Sequence, residues 1–193
     1  MQKLNQFILK LFRYKIDTIN IPPETKKCVL AFAPHTSISD FIVGRMALSA
    51  MGVKTVFVIK KEAFWFPLGN LLRALGGIPV DREHVKKFPV FAAHLIESHD
   101  EIAFLIAPEG TRSLVNNWKK GFYYIAQQAN VPIVLGYLDY RSRRGGIGGV
   151  FYLTGNVEKD MEEIKKFYYG MYGLNRGQFN LEDCPYAHPD WLA

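Results

Sequence analysis

The stretch that decides the fold is KCVLAFAPHTSISD, residues 27–40. Its first half, Lys27–Ala33, is almost entirely apolar, which is typical of a strand buried on both faces of a parallel sheet. Its second half is polar and offers Ser37 or Ser39 as the cap of a helix, so a helix is predicted over residues 40–51. A buried strand that leads directly into a helix is the repeating unit of α/β domains.

Strands and helices alternate along the rest of the chain. Apolar runs predict further strands over residues 55–59, 102–107, 131–138 and 150–154. Helical patterns between the runs predict helices over residues 66–75, 89–99, 119–130 and 158–172. The basic stretch of residues 141–146 has the composition of a solvated hairpin turn. The prediction is therefore an α/β fold, a single layered domain with a largely parallel central sheet flanked by helices, plus an N-terminal amphipathic helix.

Size and composition exclude several classes of protein. The chain has 193 residues, of which 49% are hydrophobic, so it can bury a substantial core and is not a disordered protein. We find neither an apolar run of membrane-spanning length nor a secretory signal. The two cysteines, Cys28 and Cys184, do not make a disulfide framework, so we expect a reduced, cytoplasmic protein with Cys28 as a small buried side chain.

Residues 1–20 have the pattern of a basic amphipathic helix, and we assign residues 21–193 to the layered domain. Five apolar residues share one face at helical spacing: Leu4, Phe7, Ile8, Leu11 and Phe12. Residues 1–27 carry six basic and two acidic side chains, or four of the six net positive charges of the chain. Such a helix suits an anionic membrane surface, but the same apolar stripe would suit packing onto the domain equally well. No motif for nucleic-acid binding is present, so nucleic acid is not expected as a partner.

His35 and Asp40, which follow the first buried strand, are candidates for a general-base pair. A carboxylate beside an imidazole fixes its tautomer, so that the other ring nitrogen can take a proton from a hydroxyl or an amine. On a continuous helix the two residues would lie about 140° apart, so a direct contact requires a turn between them. Taken alone, the pair is also explained by a loop histidine and a carboxylate that the helix dipole favours.

A second polar stretch, residues 108–113 (PEGTRS), follows another buried strand. Its glycine, hydroxyl and guanidinium groups are suited to holding a phosphate or another anion. Parallel α/β sheets place their ligand sites at the carboxyl ends of the strands, so the two loops are expected to face one crevice if their strands are neighbours. The remaining histidines, His84, His94, His99 and His188, lack partners at metal-ligand spacing, so neither a metal nor a cofactor is expected.

Four blocks of sequence, in order, resemble the glycerolipid acyltransferase family, of which bacterial lysophosphatidic acid acyltransferase is typical. Residues 35–40 fit its His-x-Ser-x-x-Asp block, residues 60–82 its second block, residues 108–113 its third and residues 131–134 its fourth. The blocks span half the chain. The sequence departs from the family at Pro34, Ala107 and Leu135, which flank the blocks and affect the shape of the acceptor pocket.

The resemblance implies a role for each matching residue. It implies that His35 deprotonates the acceptor hydroxyl and that Asp40 orients and supports His35. Arg82 and Arg112 are implied to bind the phosphate of the acceptor, and the residues that shape the site are Glu109, Gly110 and Thr111. Ser37 is not expected to be a nucleophile, because the chain lacks the Gly-x-Ser-x-Gly elbow, and helix capping is the expected role.

The function implied is transfer of a fatty acyl group from an acyl thioester, either acyl-CoA or acyl-carrier protein, to the hydroxyl of a lysophospholipid such as lysophosphatidic acid. The expected location is the inner face of the membrane, held peripherally on an anionic surface. Three alternatives remain open at this stage. They are the same chemistry on a lyso-aminolipid or another acceptor without phosphate, a thioester hydrolase, and a non-catalytic membrane-binding module.

Overall fold

The computed structural model describes residues 2–16, 21–81 and 88–183. The strands in these ranges are β1 Lys15–Ile16, β2 Lys27–Ala33, β3 Thr55–Lys60, β4 Gly77–Val80, β5 Ile102–Ile106, β6 Ile133–Asp139 and β7 Arg144–Phe151. The helices are α1 Gln2–Leu11, α2 Ile38–Ala50, α3 Leu68–Ala74, α4 Phe88–Glu97, α5 Gly121–Gln128 and α6 Val157–Tyr168. No helix of the described ranges is long and apolar enough to cross a membrane.

The seven strands form one sheet in the order β1-β7-β6-β2-β5-β3-β4. Strands β2 to β6 run parallel to one another, whereas β7 is antiparallel to β6 and carries β1 in parallel along its outer edge. The predicted α/β fold with a largely parallel sheet is therefore confirmed. Strand β2 lies between β5 and β6, and its side chains from Cys28 to Ala33 are buried because both faces of the sheet are covered.

Helices cover both faces of the sheet. On one face α4, α5 and α6 enclose the larger core, which includes Phe104, Tyr123 and Ile164. On the other face α2 packs over a smaller core that contains Leu30 and Leu48, with α1 packed against α2 in turn. Cys28 is fully buried in the smaller core, as predicted, and burial raises the pKa of its thiol to about 12.

The helices predicted after residue 38, and the predicted strands that match β2, β3, β5 and β6, agree with the structure to within four residues at each end. The N-terminal helix was predicted over residues 1–20, but α1 ends at Leu11 and residues 15–16 form β1. The strand predicted over residues 150–154 is wrong, because β7 covers Arg144–Phe151. Its glycine-rich start has the composition of a turn, but the structure packs it closely: a Cβ on Gly145 would lie 3.0 Å from Leu138 Cδ1. Strand β4 was not predicted, because Pro79 disfavours a strand except at a sheet edge, where β4 lies.

Helix α1 packs on the domain through a different face from the predicted apolar stripe. Leu9 is 3% exposed and lies against Ala47 and Ala50 of α2, and the Gln6 side chain donates to the Ala50 carbonyl at 2.9 Å. The stripe turns away from the domain, with these members exposed: Leu4, Phe7, Leu11 and Phe12. Helix α1 is thus attached to the domain and still presents an apolar surface to its surroundings.

Candidate active site

The loops after β2 and β5 meet at the carboxyl edge of the sheet, because these two strands are parallel neighbours. The loop after β2 carries His35, and the loop after β5 carries Glu109. A hydrogen bond of 2.8 Å joins them, in which the backbone N–H of His35 donates to Oε1 of Glu109. The structure therefore brings the two polar stretches of the sequence together at one edge of the sheet.

Asp40 fixes the loop that carries His35 and closes the first turn of α2. Its carboxylate is fully buried and accepts from the backbone N–H groups of Thr36 at 2.5 Å and Ser37 at 2.7 Å. It also accepts from the hydroxyls of Thr36 at 3.2 Å and Ser37 at 2.8 Å. The Ser37 hydroxyl in return accepts from the Asp40 N–H at 3.2 Å, which completes a capping box. The predicted capping role of Ser37 is confirmed.

Asp40 does not form a hydrogen bond to the imidazole of His35 among the contacts of the described residues. The turn needed to bring the two side chains together is present, but the carboxylate binds the backbone and hydroxyl groups that immediately follow His35. Its influence on His35 is electrostatic. The Asp40 charge raises the pKa of His35, although this effect is smaller than the effect of burial.

His35 is half-buried and has the properties of a neutral base. Burial lowers the pKa of its imidazole below the ordinary value of 6.5, and the positive charge of Arg112 lowers it further. The charge of Asp40 opposes both effects without reversing them. The imidazole is therefore mostly uncharged at neutral pH, which is the state that can accept a proton.

Glu109 is a buried carboxyl group at the base of the site. It is 2% exposed, and burial raises the pKa of its carboxyl group to about 7. The hydrogen bond from His35 partly offsets this shift, and the Asp40 charge adds to it. Oε2 of Glu109 has no hydrogen-bond partner among the described residues. Glu109 thus holds the backbone of His35 from the neighbouring loop. Its raised pKa means that a large fraction of its carboxyl groups is protonated at neutral pH.

The residues predicted to bind the acceptor lie at the mouth of the site or outside the described ranges. Gly110, Thr111 and Arg112 are exposed, directly after the buried Glu109. Gly110 has a φ of 69°, a left-handed conformation that favours glycine and turns the chain outward. Arg112 lies close enough to His35 for its charge to affect the pKa of the imidazole. Arg82 lies outside the described residues.

The segment after α6 holds the His35 loop in place, a role that the sequence did not indicate. Asn175 donates from its backbone N–H to the Thr36 hydroxyl at 3.1 Å and from Nδ2 to the Thr36 carbonyl at 2.8 Å. Gly173 lies so close that a Cβ there would approach Thr36 Cγ2 to 2.3 Å. The segment has no hydrophobic period, and its contacts run to a residue more than a hundred positions away, so no local signal could have revealed it.

Tyr140, at the end of β6, is a further neighbour of Asp40 that sequence analysis missed. Its ring stands edge-on to the ring of Tyr14, with 6.1 Å between the ring centroids. Burial raises the pKa of the Tyr140 hydroxyl, and the nearby Asp40 carboxylate raises it further. The carboxylate at the start of α2 is thus enclosed by aromatic side chains from the N-terminal segment and from β6.

Comparison with known proteins places this geometry in a family. The family model described as Acyltransferase matches residues 15–135, which include both loops and the strands β1, β2, β3, β4 and β5. The chain belongs to the acyltransferase family. In the ranges that the structure describes, no three His, Cys, Asp or Glu side chains are grouped so as to hold a metal ion.

Curated plant acyltransferases are similar to part of this acyltransferase chain. Over 121 residues it is 35% identical to 1-acyl-sn-glycerol-3-phosphate acyltransferases of Limnanthes douglasii and Limnanthes alba, a match that covers 57% of this chain and 40% of each relative. A third relative of the same name, from Cocos nucifera, is 34% identical over 109 residues, covering 52% of this chain and 33% of its own length. The chain therefore spans about two fifths or less of the length of these relatives.

A solved structure has the same fold as this acyltransferase. It is the 1-acyl-sn-glycerophosphate acyltransferase PlsC of Thermotoga maritima, with a TM-score of 0.58 and 18% sequence identity. The match covers 86% of this chain and 75% of the other. At this identity the likeness shows the fold alone, and the fold is the α/β arrangement described above.

Proposed function

We propose that the protein transfers a fatty acyl group from an acyl thioester to the hydroxyl of a lysophospholipid-type acceptor, with lysophosphatidic acid as the preferred acceptor. The observation that carries this proposal is the half-buried His35, whose loop is held by Glu109 and Asp40 while Arg112 stands at the mouth of the site. The names of the similar plant proteins support the choice of acceptor.

In the proposed reaction, neutral His35 takes the proton of the acceptor hydroxyl. The acceptor oxygen attacks the thioester carbonyl carbon, a new C–O bond forms, and the C–S bond breaks. The thiolate that leaves takes the proton from the imidazolium, which restores neutral His35. Asp40 favours the imidazolium electrostatically, because its charge raises the pKa of His35. No acyl-enzyme is required.

We assign the phosphate of the acceptor to Arg112, with Arg82 as a second ligand. A guanidinium can donate two parallel hydrogen bonds to a phosphate, and the exposed Arg112 lies near His35, where an acceptor hydroxyl must lie. The adjacent Gly110 and Thr111 give the loop its outward turn and a hydroxyl group beside the guanidinium. The donor in this proposal is acyl-CoA or acyl-carrier protein.

We propose peripheral attachment to the inner face of the membrane, because the acceptor is a lipid. The exposed apolar stripe of α1 supports this attachment, since Phe7 is 65% exposed and the basic residues Lys3, Lys10 and Arg13 accompany it. Basic residues near an anionic surface each contribute about 1 kcal/mol to binding.

The experiment is acyl transfer by the purified chain with an isotopically labelled thioester, presented as acyl-CoA and as acyl-carrier protein. The acceptors are lysophosphatidic acid, a monoacylglycerol and a lyso-aminolipid, with products resolved by mass. We expect labelled phosphatidic acid to dominate, and a His35→Ala variant serves as the control. Free fatty acid and thiol without acylated product would instead indicate a hydrolase. No turnover above the His35→Ala control with any acceptor would indicate a non-catalytic module.

A further inference from the structure

Most of the exposed apolar side chains lie on one side of the molecule. The described residues include 13 large hydrophobic side chains that are exposed, and nine of them lie in residues 4–12, on α2 or in residues 65–71. Four belong to the stripe of α1. The other five form what we term the α2–α3 apolar surface: Ile38, Ile42, Trp65, Phe66 and Leu71. A concentration of this kind marks an interaction surface, whereas single exposed apolar residues do not.

Helix α2 lies between α1 and the segment that carries Trp65. On one flank of α2, Ala47 and Ala50 pack against Leu9 of α1. On the other flank, the Phe41 ring packs edge-on against the Phe57 ring of β3, and Arg45 donates to the Leu75 carbonyl at the end of α3 at 2.7 Å. Ile38 and Ile42 share the outward face between these flanks, as their separation by four residues requires. The stripe of α1 and the α2–α3 apolar surface therefore belong to the same side of the sheet.

The α2–α3 apolar surface also lies at the edge of the sheet where the catalytic loops lie. Ile38 follows directly after the cap residue Ser37, within three positions of His35. Trp65 and Phe66 follow the carboxyl end of β3, which is the parallel neighbour of β5. A surface at this edge would bring the mouth of the site close to whatever it binds.

The composition and rigidity of the surface fit a lipid interface. Trp65 is 62% exposed and Phe66 is 83% exposed. The described segments of residues 60–74 also expose Lys60, Arg73 and Lys61, which pairs with Asp81, and their exposed acid is Glu62. Aromatic and basic side chains together are the composition of a membrane–water boundary. The backbone here is held in shape, because the Gly69 N–H donates to the Trp65 carbonyl at 2.7 Å.

We propose that the α2–α3 apolar surface is a second membrane-contact site, which enters the interface of an anionic bilayer together with α1. Helix α1 anchors the protein, and Trp65, Phe66, Ile38 and Ile42 set its orientation, so that the mouth of the site faces the lipid. This inference rests on the proposed function, because a lipid acceptor is what gives the orientation its purpose.

The test compares vesicle partitioning of the wild-type protein and two double variants. Trp65→Ser with Phe66→Ser removes the most exposed pair, and Phe7→Ser with Leu11→Ser removes the stripe of α1. The matched control is Tyr124→Ser, an exposed aromatic on α5 on the opposite side of the sheet. With vesicles of phosphatidylglycerol and phosphatidylcholine, we expect each double variant to lower the partition constant at least about tenfold. The control should leave it unchanged.

Tryptophan emission gives an independent readout of Trp65. The chain has three tryptophans, and Trp118 is buried at 4% exposure. We expect the emission of the wild-type protein to shift to shorter wavelength when these vesicles are added. Trp65→Phe, which preserves an aromatic ring, should lose that shift and keep its vesicle binding.

Two results would overturn the inference and leave the proposed function standing. One is a wild-type protein that acylates lysophosphatidic acid while the Trp65/Phe66 double variant partitions equally well. The other is a concentration-dependent dimer that the same double variant abolishes, since the surface would then bind a second copy of the chain. The proposed function fails on a different result, absence of acyl transfer to any acceptor, which leaves vesicle partitioning measurable.

Discussion

At the scale of the residue, the site depends on how Asp40 and Glu109 hold the backbone around His35. Asp40 accepts four hydrogen bonds from Thr36 and Ser37, and Glu109 accepts one from the N–H of His35. His35 itself is held only through its backbone in these contacts, which leaves its imidazole available to a substrate. The two carboxyl groups therefore act on the imidazole through position and charge.

His35→Ala and Asp40→Asn should differ in their effects on activity and on stability. Removing the base should lower kcat/KM by roughly 10²–10⁴-fold with an unchanged Tm. Asp40→Asn should lower activity chiefly through the loss of charge, because the amide keeps one oxygen for the backbone N–H groups of Thr36 and Ser37 but no longer favours the imidazolium of His35. Its amide nitrogen would face the Ser37 hydroxyl, and replacing a hydrogen bond to a charged group by one to a neutral group costs about 1 kcal/mol of stability. The measurements are steady-state kinetics and thermal unfolding, and near-wild-type turnover in His35→Ala would falsify the general-base role.

Glu109 should make the protein less stable as the pH rises. Its folded pKa is about 7, above the ordinary value of 4.5, so the unfolded chain loses this proton first. The stability it contributes is complete below pH 4.5 and is lost as the pH passes through 7, a difference on the order of 3 kcal/mol. Glu109→Gln keeps an oxygen for the His35 N–H and cannot ionise.

Urea unfolding from pH 4 to 8 tests this expectation. The free energy of unfolding of the variant minus that of the wild type should increase with pH, most steeply between pH 4.5 and 7. The subtraction removes the opposite contribution of His35, whose lowered pKa makes the protein more stable as the pH rises. A difference that stays flat across this window would mean that folding does not raise the pKa of Glu109.

Arg112→Lys should impair the use of phosphorylated acceptors more than the use of others. Lysine keeps the charge but cannot reproduce the paired hydrogen bonds of a guanidinium to phosphate. We expect kcat/KM to fall about tenfold or more for lysophosphatidic acid and by much less for monoacylglycerol. Equal losses on both acceptors would assign Arg112 to loop structure, and a wild-type preference for the acceptor without phosphate would favour the alternative acceptors.

At the scale of the element, the His35 loop is held from two directions. Strand β5 supplies Glu109 from the neighbouring loop, and the segment after α6 supplies Asn175 from above. The Asn175 N–H donates to the Thr36 hydroxyl, which in turn donates to Asp40, so one chain of hydrogen bonds joins the segment to the cap of α2. The position of His35 thus depends on residues nearly 140 positions apart in sequence.

Asn175→Ala should lower activity without unfolding the protein. The variant loses the hydrogen bond to the Thr36 carbonyl, and small displacements of a catalytic loop have large kinetic effects, so we expect kcat to fall roughly tenfold. Asn180→Ala is the matched control, because Asn180 in the same segment donates to the Asn116 carbonyl, away from Thr36. Equal kcat values in the two variants, at equal Tm, would contradict the positioning role.

Some elements and contacts could be predicted from local sequence patterns, and others could not. Strand β2 and the cap at Ser37 were predictable because burial on both faces and the capping box leave local patterns. Strand β7 was misplaced because its glycine-rich start has the composition of a turn, and its pairing with β6 is a contact that a local pattern does not include. The Glu109 contact with His35 depends on the order of the strands, and the Asn175 contact with Thr36 depends on the path of the chain after α6, so neither leaves a local pattern.

At the scale of the whole molecule, the N-terminal segment both supports the fold and presents an apolar surface. Leu9 fills a space against α2, and β1 extends the sheet beyond β7. The stripe of α1 makes no comparable contribution, because Leu4, Phe7 and Leu11 face outward. The two interpretations of the amphipathic pattern are therefore compatible.

Deletion and substitution should separate the two roles of this segment. Deleting residues 1–16 should lower the Tm by several degrees and weaken vesicle binding, because it removes Leu9 and β1 as well as the stripe. Phe7→Ser with Leu11→Ser should weaken vesicle binding, increasingly so at high salt, and leave the Tm unchanged. Thermal unfolding and vesicle sedimentation decide the matter, and a lower Tm in the double variant would show that the stripe supports the fold.

The central position of β2 has a consequence for the folding of the chain during its synthesis on the ribosome. Strand β2 is complete at Ala33, yet its partners β5 and β6 begin at Ile102 and Ile133. At about 5–20 residues per second, translation leaves both edges of this apolar strand unpaired until β5 is made, and one edge unpaired for roughly 5–20 seconds until β6 is finished. Open apolar edges are templates for wrong pairing between nascent chains. The strand that organises the finished sheet is therefore exposed to wrong pairing while the rest of the chain is being made.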